Sequence, residues 1–500
     1  MKKGQGKKKM NIVWFVQDHV MWKHFRDTDG PKPKLPTYER IAKTGIEFNR
    51  AYSIIPLCGP ARGSLMTGVY PHKHGIINNG KKVDLNQLEI NVFNKYLIDE
   101  GYRTGYFGKW HAGVGVAQDS GFEGYSVPGY GNPYGTDEYL EYLQKHNLPT
   151  PFVDVEWRPT GEISKNVDLT VKGISPHPKV GIGHPTTGII KAPAETTESY
   201  FLSDMASEWL QQRVEDGDSF FLRVDTWGPH QPYLVSETFK DTMNPTEIPE
   251  YPNFSNDFGD RPAYHKRDRE EWRAKTGFTT WEEWQPIVGR AYEHYEQTDT
   301  GLGKILDTLE HLGIAEETIV IYTADHGDIL ASNGGLFDKD SMLTEETMSI
   351  PMVIRWPGVT DGKYNRDELV SNMDLVPTIL EMAGIQVPTH MDGESIVPLL
   401  NQNPQEWREE LLTQHFGHIN HYKIQRVLYW KNYKYVAHLD DTDELYNLEK
   451  DPFEWKNLVE DPALDSLLQD MKKRLARCMV KYQDLSEDSQ TLLKQKGITI

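Results

Sequence analysis

Thr318-Ile-Val-Ile-Tyr-Thr-Ala-Asp-His326 reads as a buried strand that stops on two residues able to do chemistry. Every residue from 318 to 323 is β-branched or aromatic, and an unbroken run of that kind fits a strand covered on both faces. Just before it, Leu302, Ile305, Leu306 and Leu309 recur at helical spacing within 291–312, and Gly313 stands where a helix C-cap is wanted. A helix feeding a doubly buried strand is the repeating unit of a parallel α/β sheet. The strand signal recurs at 12–16, 103–107, 220–224 and 352–355, with a second amphipathic helix over 197–212. These runs predict an α/β fold over residues 10–409, a large mixed, mostly parallel sheet flanked by helices.

From 410 the pattern changes to alternation, as in 426–438, and then to a helical stretch over 465–482. A smaller C-terminal α+β domain over 410–500 follows. Two connections, 115–191 and 235–285, are rich in Pro, Gly, Asp and aromatics and weakly periodic; such insertions cover active sites or decorate the periphery.

The composition is that of a globular protein, 38% hydrophobic and 26% charged over 500 residues. Against 54 basic residues stand 74 acidic ones, and the net charge of −20 argues against a general affinity for nucleic acid or anionic lipid. No stretch approaches the roughly 20 apolar residues of a membrane span. Residues 1–9 form a basic tail with five lysines and no apolar signal core, so the expected location is cytoplasmic, or exported if a signal segment has been removed. With only Cys58 and Cys478, no disulfide framework holds the fold.

Four strand-like runs end in reactive residues: Asp18 and His19, Lys109 and His111, His230, and Asp325 and His326. Ligands bind beyond the carboxyl ends of parallel strands, so one site can collect them all. Any single one would more often be a plain turn residue, but recurrence at four strand ends weighs against that. In Cys58-Gly-Pro-Ala-Arg-Gly-Ser-Leu-Met-Thr-Gly68, Pro60 suits a first helical turn and puts Cys58 at a helix N-terminus, with Arg62 one turn on. His72 and His74 read as turn builders, and Asn78 and Asn79 as candidates to line a substrate pocket.

Cys58-x-Pro60-x-Arg62 with Thr67-Gly68 resembles the signature of the type I, formylglycine-dependent sulfatases of the alkaline phosphatase superfamily. Its chance expectation in a chain of this length is on the order of 10⁻⁵ to 10⁻⁴. Further family-like segments follow in order: Asn11-Ile-Val-Trp-Phe-Val-Gln-Asp18, Gly108-Lys-Trp-His111, Gly228-Pro-His-Gln-Pro232, Thr323-Ala-Asp-His-Gly-Asp328, Phe337-Asp-Lys339 and Leu445-Tyr-Asn-Leu-Glu449. The resemblance implies that a maturation enzyme oxidises Cys58 to formylglycine, whose hydrate attacks sulfur with one oxygen and expels sulfate through the other. It further implies that Arg62 and Lys109 hold that hydrate, His111 assists elimination, His230 protonates the leaving alcohol and Lys339 clamps the sulfate. Asp18, Asp325, His326 and the modified Cys58 become ligands of one divalent cation, Ca²⁺ first and Mn²⁺ as the alternative. His19 replaces the second aspartate of the family pattern, and its ligation stays open. The implied substrate is a small sulfated carbohydrate or aryl sulfate. The alternatives are a phosphonate monoester or phosphodiester hydrolase of the same superfamily, and a non-catalytic binding protein on the same fold.

Overall fold

The computed structural model describes residues 9–498 apart from 162, 173–178, 181–184, 340, 402–405 and 419–420, with backbone only at His421. Of the basic tail only Lys9 falls within the described residues. Seven strands, β1 (Asn11–Asp18), β2 (Ile46–Glu47), β3 (Arg103–Lys109), β4 (Glu123–Val127), β5 (Phe220–Pro229), β6 (Thr318–Ala324) and β7 (Met352–Arg355), form one sheet in the order β2-β7-β6-β1-β5-β3-β4. From β6 to β4 every pairing is parallel, whereas β7 runs antiparallel to both of its neighbours. The direction of β7 departs from the parallel set its sequence signal placed it in, because a doubly buried run reads alike in either direction.

All eight residues of β1 are buried. Its register pairs Gln17 with Ala324 on one side and Asp18 with Pro229 on the other, so three strands end level. That edge receives every reactive strand end. The β4 strand lies within the supposed first insertion; it is a half-exposed edge and lacks a continuous apolar run. The rest of that insertion supplies three strands of a second sheet, ordered Tyr233–Ser236, Thr187–Ile190, Phe152–Trp157, Val167–Asp168, the first of which lies beyond the insertion. The other presumed insertion holds the Ala263–Thr276 helix, and the Trp281–His311 helix starts ten residues before the expected 291. A capping box starts it, Glu283 Oε2 accepting from the Thr280 N–H at 3.0 Å.

Glu410–His418, His421–Trp430, Tyr433–His438 and Glu444–Asn447 make a C-terminal antiparallel sheet in sequential order, joined by the Asp465–Lys481 helix. Its core residues Leu412, Leu428, Tyr435 and Leu475 form one cluster with Ile54, Leu57, Ala61 and Tyr70. The segment that carries Cys58 is thus fixed from the C-terminal side as well. Among the described residues no helix is long and apolar enough to cross a membrane.

Candidate active site

Cys58 opens a helix, Cys58–Thr67, every residue of which is buried. Leu57 before it is extended, and Gly68 closes it in the left-handed conformation with φ 71°. At Gly59 a side chain would crowd Asn79 Oδ1 at 3.1 Å, and the Gly59 N–H donates to that same oxygen at 2.9 Å. Asn79 therefore holds the helix start beside Cys58. His74 builds the following turn as expected: its Nδ1 accepts from the Ile76 N–H and its Nε2 meets Ser64 Oγ, both at 3.1 Å.

Asp18, Cys58, Asp325 and His326 each offer one atom to a group lying within 4.8 Å of one another, all buried. His326 Nε2 stands 3.1 Å from Cys58 Sγ, 3.6 Å from Asp325 Oδ1 and 3.7 Å from Asp18 Oδ1. The His326 ring is oriented by its other nitrogen, Nδ1, against the Gly327 carbonyl at 2.8 Å. Asp18 Oδ1 is buried with no hydrogen-bond partner among the described residues. Two carboxylates, one of them with an orphaned oxygen, an imidazole and a thiol converging on one point fit a divalent cation. His19 is outside this group: its Nε2 faces Asp328 at 3.3 Å and Asp338 at 3.5 Å.

Cations surround the group. Lys109 pairs with Asp18 Oδ2. Arg62 donates through Nε to Asp325 at 2.9 Å and through Nη1 to Asp225 at 2.7 Å and the Lys109 carbonyl at 2.9 Å. Burial alone would raise the Asp18 carboxyl, but Lys109 foremost, with His230 and Arg62, holds it well below the carboxylate range. Asp225 also takes Arg223 at 2.7 and 2.8 Å. Sequence reading missed Asp225 and Arg223, yet a signal was present, since two charges inside the buried run Phe220-Phe-Leu-Arg-Val-Asp225 require partners.

Lys339 Nζ lies 3.4 Å from His230 Nε2 and 2.9 Å from Asp338 Oδ1. Burial, then the Lys339 charge, lowers the His230 pKa, so this imidazole is biased toward its neutral form. His111 is held well below its ordinary range by burial and by Lys109, and its ring tilts over Tyr130 at 4.3 Å. His19, His111 and Asp338 adopt positive φ of 67°, 42° and 67°, a conformation uncommon for residues other than glycine. All the anticipated residues, Asp18, Cys58, Arg62, Lys109, His111, His230, Asp325, His326 and Lys339, therefore meet at one sheet edge. Tyr130, Asp338 and Glu198 were not anticipated. Glu198, its carboxyl pushed up to about 7 by burial, lines a cavity beside Lys109 and His230.

A mostly parallel sheet with an acid, imidazole and thiol group at its carboxyl edge, ringed by cations, suits a hydrolase that acts on an anionic ester. The chain belongs to the sulfatase family: the sulfatase model matches residues 10–385, and the model for the C-terminal part of N-sulphoglucosamine sulphohydrolase matches 332–481. It is similar to an N-acetylglucosamine-6-O-sulfatase of Bacteroides thetaiotaomicron, 23% identical over 98% of this chain and 90% of that protein. A choline-sulfatase of Rhizobium meliloti is 27% identical over 91% of this chain and 83% of that protein. The crystal structure of a phosphonate monoester hydrolase of Agrobacterium radiobacter shares the fold with a TM-score of 0.75 and 19% identity, over 95% of this chain and 96% of that one.

Proposed function

We propose that this sulfatase cleaves a sulfate ester, R–O–SO₃⁻, with a nucleophile made from Cys58, and that residues 10–409 carry the chemistry. The observation behind this reading is the 3.1 Å approach of Cys58 to His326 within the Asp18 and Asp325 group, under the charges of Arg62, Lys109 and Lys339. An anion that develops charge in transfer is stabilised by cations already fixed in place.

Formylglycine at position 58, installed by a maturation enzyme, supplies a hydrated aldehyde as the attacking group. Asp18, Asp325, His326 and that residue would hold a divalent cation, Ca²⁺ by the two carboxylates with Mn²⁺ admitted by the imidazole, and it would supply a lowered pKa for the hydrate and an offset to sulfate charge. Arg62 and Lys109 orient the hydrate. Lys339 takes a sulfate oxygen, and the negative charge arriving between Lys339 and His230 favours a protonated His230. His230 then gives its proton to the departing alcohol, and His111 takes the hydrate proton whose loss expels sulfate.

The names of two relatives point to small polar alcohols, an amino sugar and choline, as the esterified group. A turnover screen of sugar sulfates, choline sulfate, aryl sulfates and phosphonate esters tests the reading, with rate per mole of formylglycine as the readout. Hydrolysis of phosphonate esters alone would transfer the site to the rival activity.

A further inference from the structure

Past Lys109 and His230 the site opens into a cavity of about 90 Å³, several times what one water needs. Tyr130, Tyr134 and Leu169 contribute apolar wall. Its polar lining includes four side chains with buried atoms that have no hydrogen-bond partner among the described residues: Glu198 Oε2, Trp227 Nε1, His294 Nδ1, and both amide atoms of Gln231. Glu198 and Gln231 are only 6% and 2% exposed. Glu198 is anchored by its other oxygen, Oε1, which accepts the Gly228 N–H at 2.8 Å. That bond ties it to the loop carrying His230 and leaves Oε2 spare. Native interiors seldom leave several polar atoms unpaired around one hollow, because each unmade bond is costly.

We infer that this cavity receives the alcohol as one polyhydroxylated ring, a single sugar unit, whose hydroxyls pair with Glu198, Gln231 and Trp227 while a ring face rests on Tyr130 and Tyr134. The inference rests on the sulfate-ester reading above and specifies its leaving group. A carboxylate asks for a donor, an indole N–H for an acceptor, and a primary amide for both. Neighbouring hydroxyls offer both in a small space. A quaternary ammonium alcohol would answer the charge of Glu198 but neither Gln231 nor Trp227, and an aryl group would answer none of the three. Sites built to hydrogen-bond a hydroxyl discriminate strongly against analogues lacking it.

The test uses fully formylglycine-converted wild type, Glu198→Gln and Trp227→Phe, each checked by thermal melting. kcat/KM is measured on hexose and hexosamine monosulfates, choline sulfate and 4-nitrophenyl sulfate. Wild type is expected to prefer one of the sugar monosulfates to choline sulfate by about 10²-fold or more. The sugar-to-aryl ratio of kcat/KM is expected to fall by about 10-fold in Glu198→Gln and by about 3-fold or more in Trp227→Phe. If Glu198→Gln does not fold, Trp227→Phe decides. An unchanged ratio in the folded variants, or a wild type that favours choline or aryl sulfate, overturns the pocket assignment and leaves the sulfatase reading standing. Absence of turnover on every sulfate ester overturns that reading itself, and the pocket assignment with it.

Discussion

Arg62 Nε donates to Asp325 Oδ2 at 2.9 Å, both side chains fully buried, so a cation one helical turn from Cys58 and a carboxylate of the proposed metal group are one ion pair. Neither can be changed alone.

Asp325→Ala is expected to lose metal and activity together, because one hard anionic ligand goes and Arg62 is left with an unpaired share of its charge. Elemental analysis of the purified variant is the check. Unchanged metal stoichiometry would exclude Asp325 from the group.

Asp225 makes the complementary prediction about stability. Its carboxylate is shared by Arg62 and Arg223, and removing one partner of a buried ion pair costs about 3–5 kcal/mol. Asp225→Ala should show that loss in urea unfolding, without Asp225 touching the cation. A shift under about 1 kcal/mol would mean that the two arginines find other partners.

Cys58→Ala should abolish turnover while the fold persists, since a small residue at a helix start gives up little packing. Cys478, in the Asp465–Lys481 helix with its thiol 3.4 Å from Glu410, should tolerate Ala with activity kept. Equal rates for wild type and Cys58→Ala would end the proposed mechanism.

If His230 protonates the leaving alcohol, its worth grows with the basicity of that alcohol. His230→Ala should slow a sugar sulfate by roughly 10²-fold or more and an activated nitrophenyl sulfate far less. Matched losses on both esters, at equal metal and formylglycine content, would leave His230 as a sulfate contact only.

Burial, helped by the nearby His72, lowers the His74 pKa to about 3, and its Nδ1 accepts from the Ile76 N–H, which requires the neutral ring. Between about 3 and the unfolded value of ~6.5, the unfolded chain binds a proton that the folded chain does not. Stability therefore falls as pH drops below ~6.5, by about 1.4 kcal/mol per pH unit from this residue. His24 and His265, lowered to about 4 and about 3 chiefly by burial, act in the same direction. Melting temperature against pH from 7 to 5 should be flatter in His74→Gln than in wild type. Parallel curves would show that His74 does not titrate on unfolding.

The sequence by itself determined the strands that carry the site, because doubly buried runs such as 318–323 have one physical use, and the reactive residues follow those runs directly. It also determined the helix that Cys58 opens, since the residues that start and stop it, Cys58 to Gly68, are local in the chain. Tertiary structure alone decided the direction of β7, the edge strand β4, and the placing of His19 between Asp328 and Asp338, outside the proposed metal group. It also decided that Glu198, Gln231 and Trp227 share one cavity with Tyr130. Those features depend on pairing partners and backbone dihedrals set by segments tens to hundreds of residues apart. Hydrophobic periodicity records whether a residue is buried, and what it is buried against is fixed only when the sheet assembles.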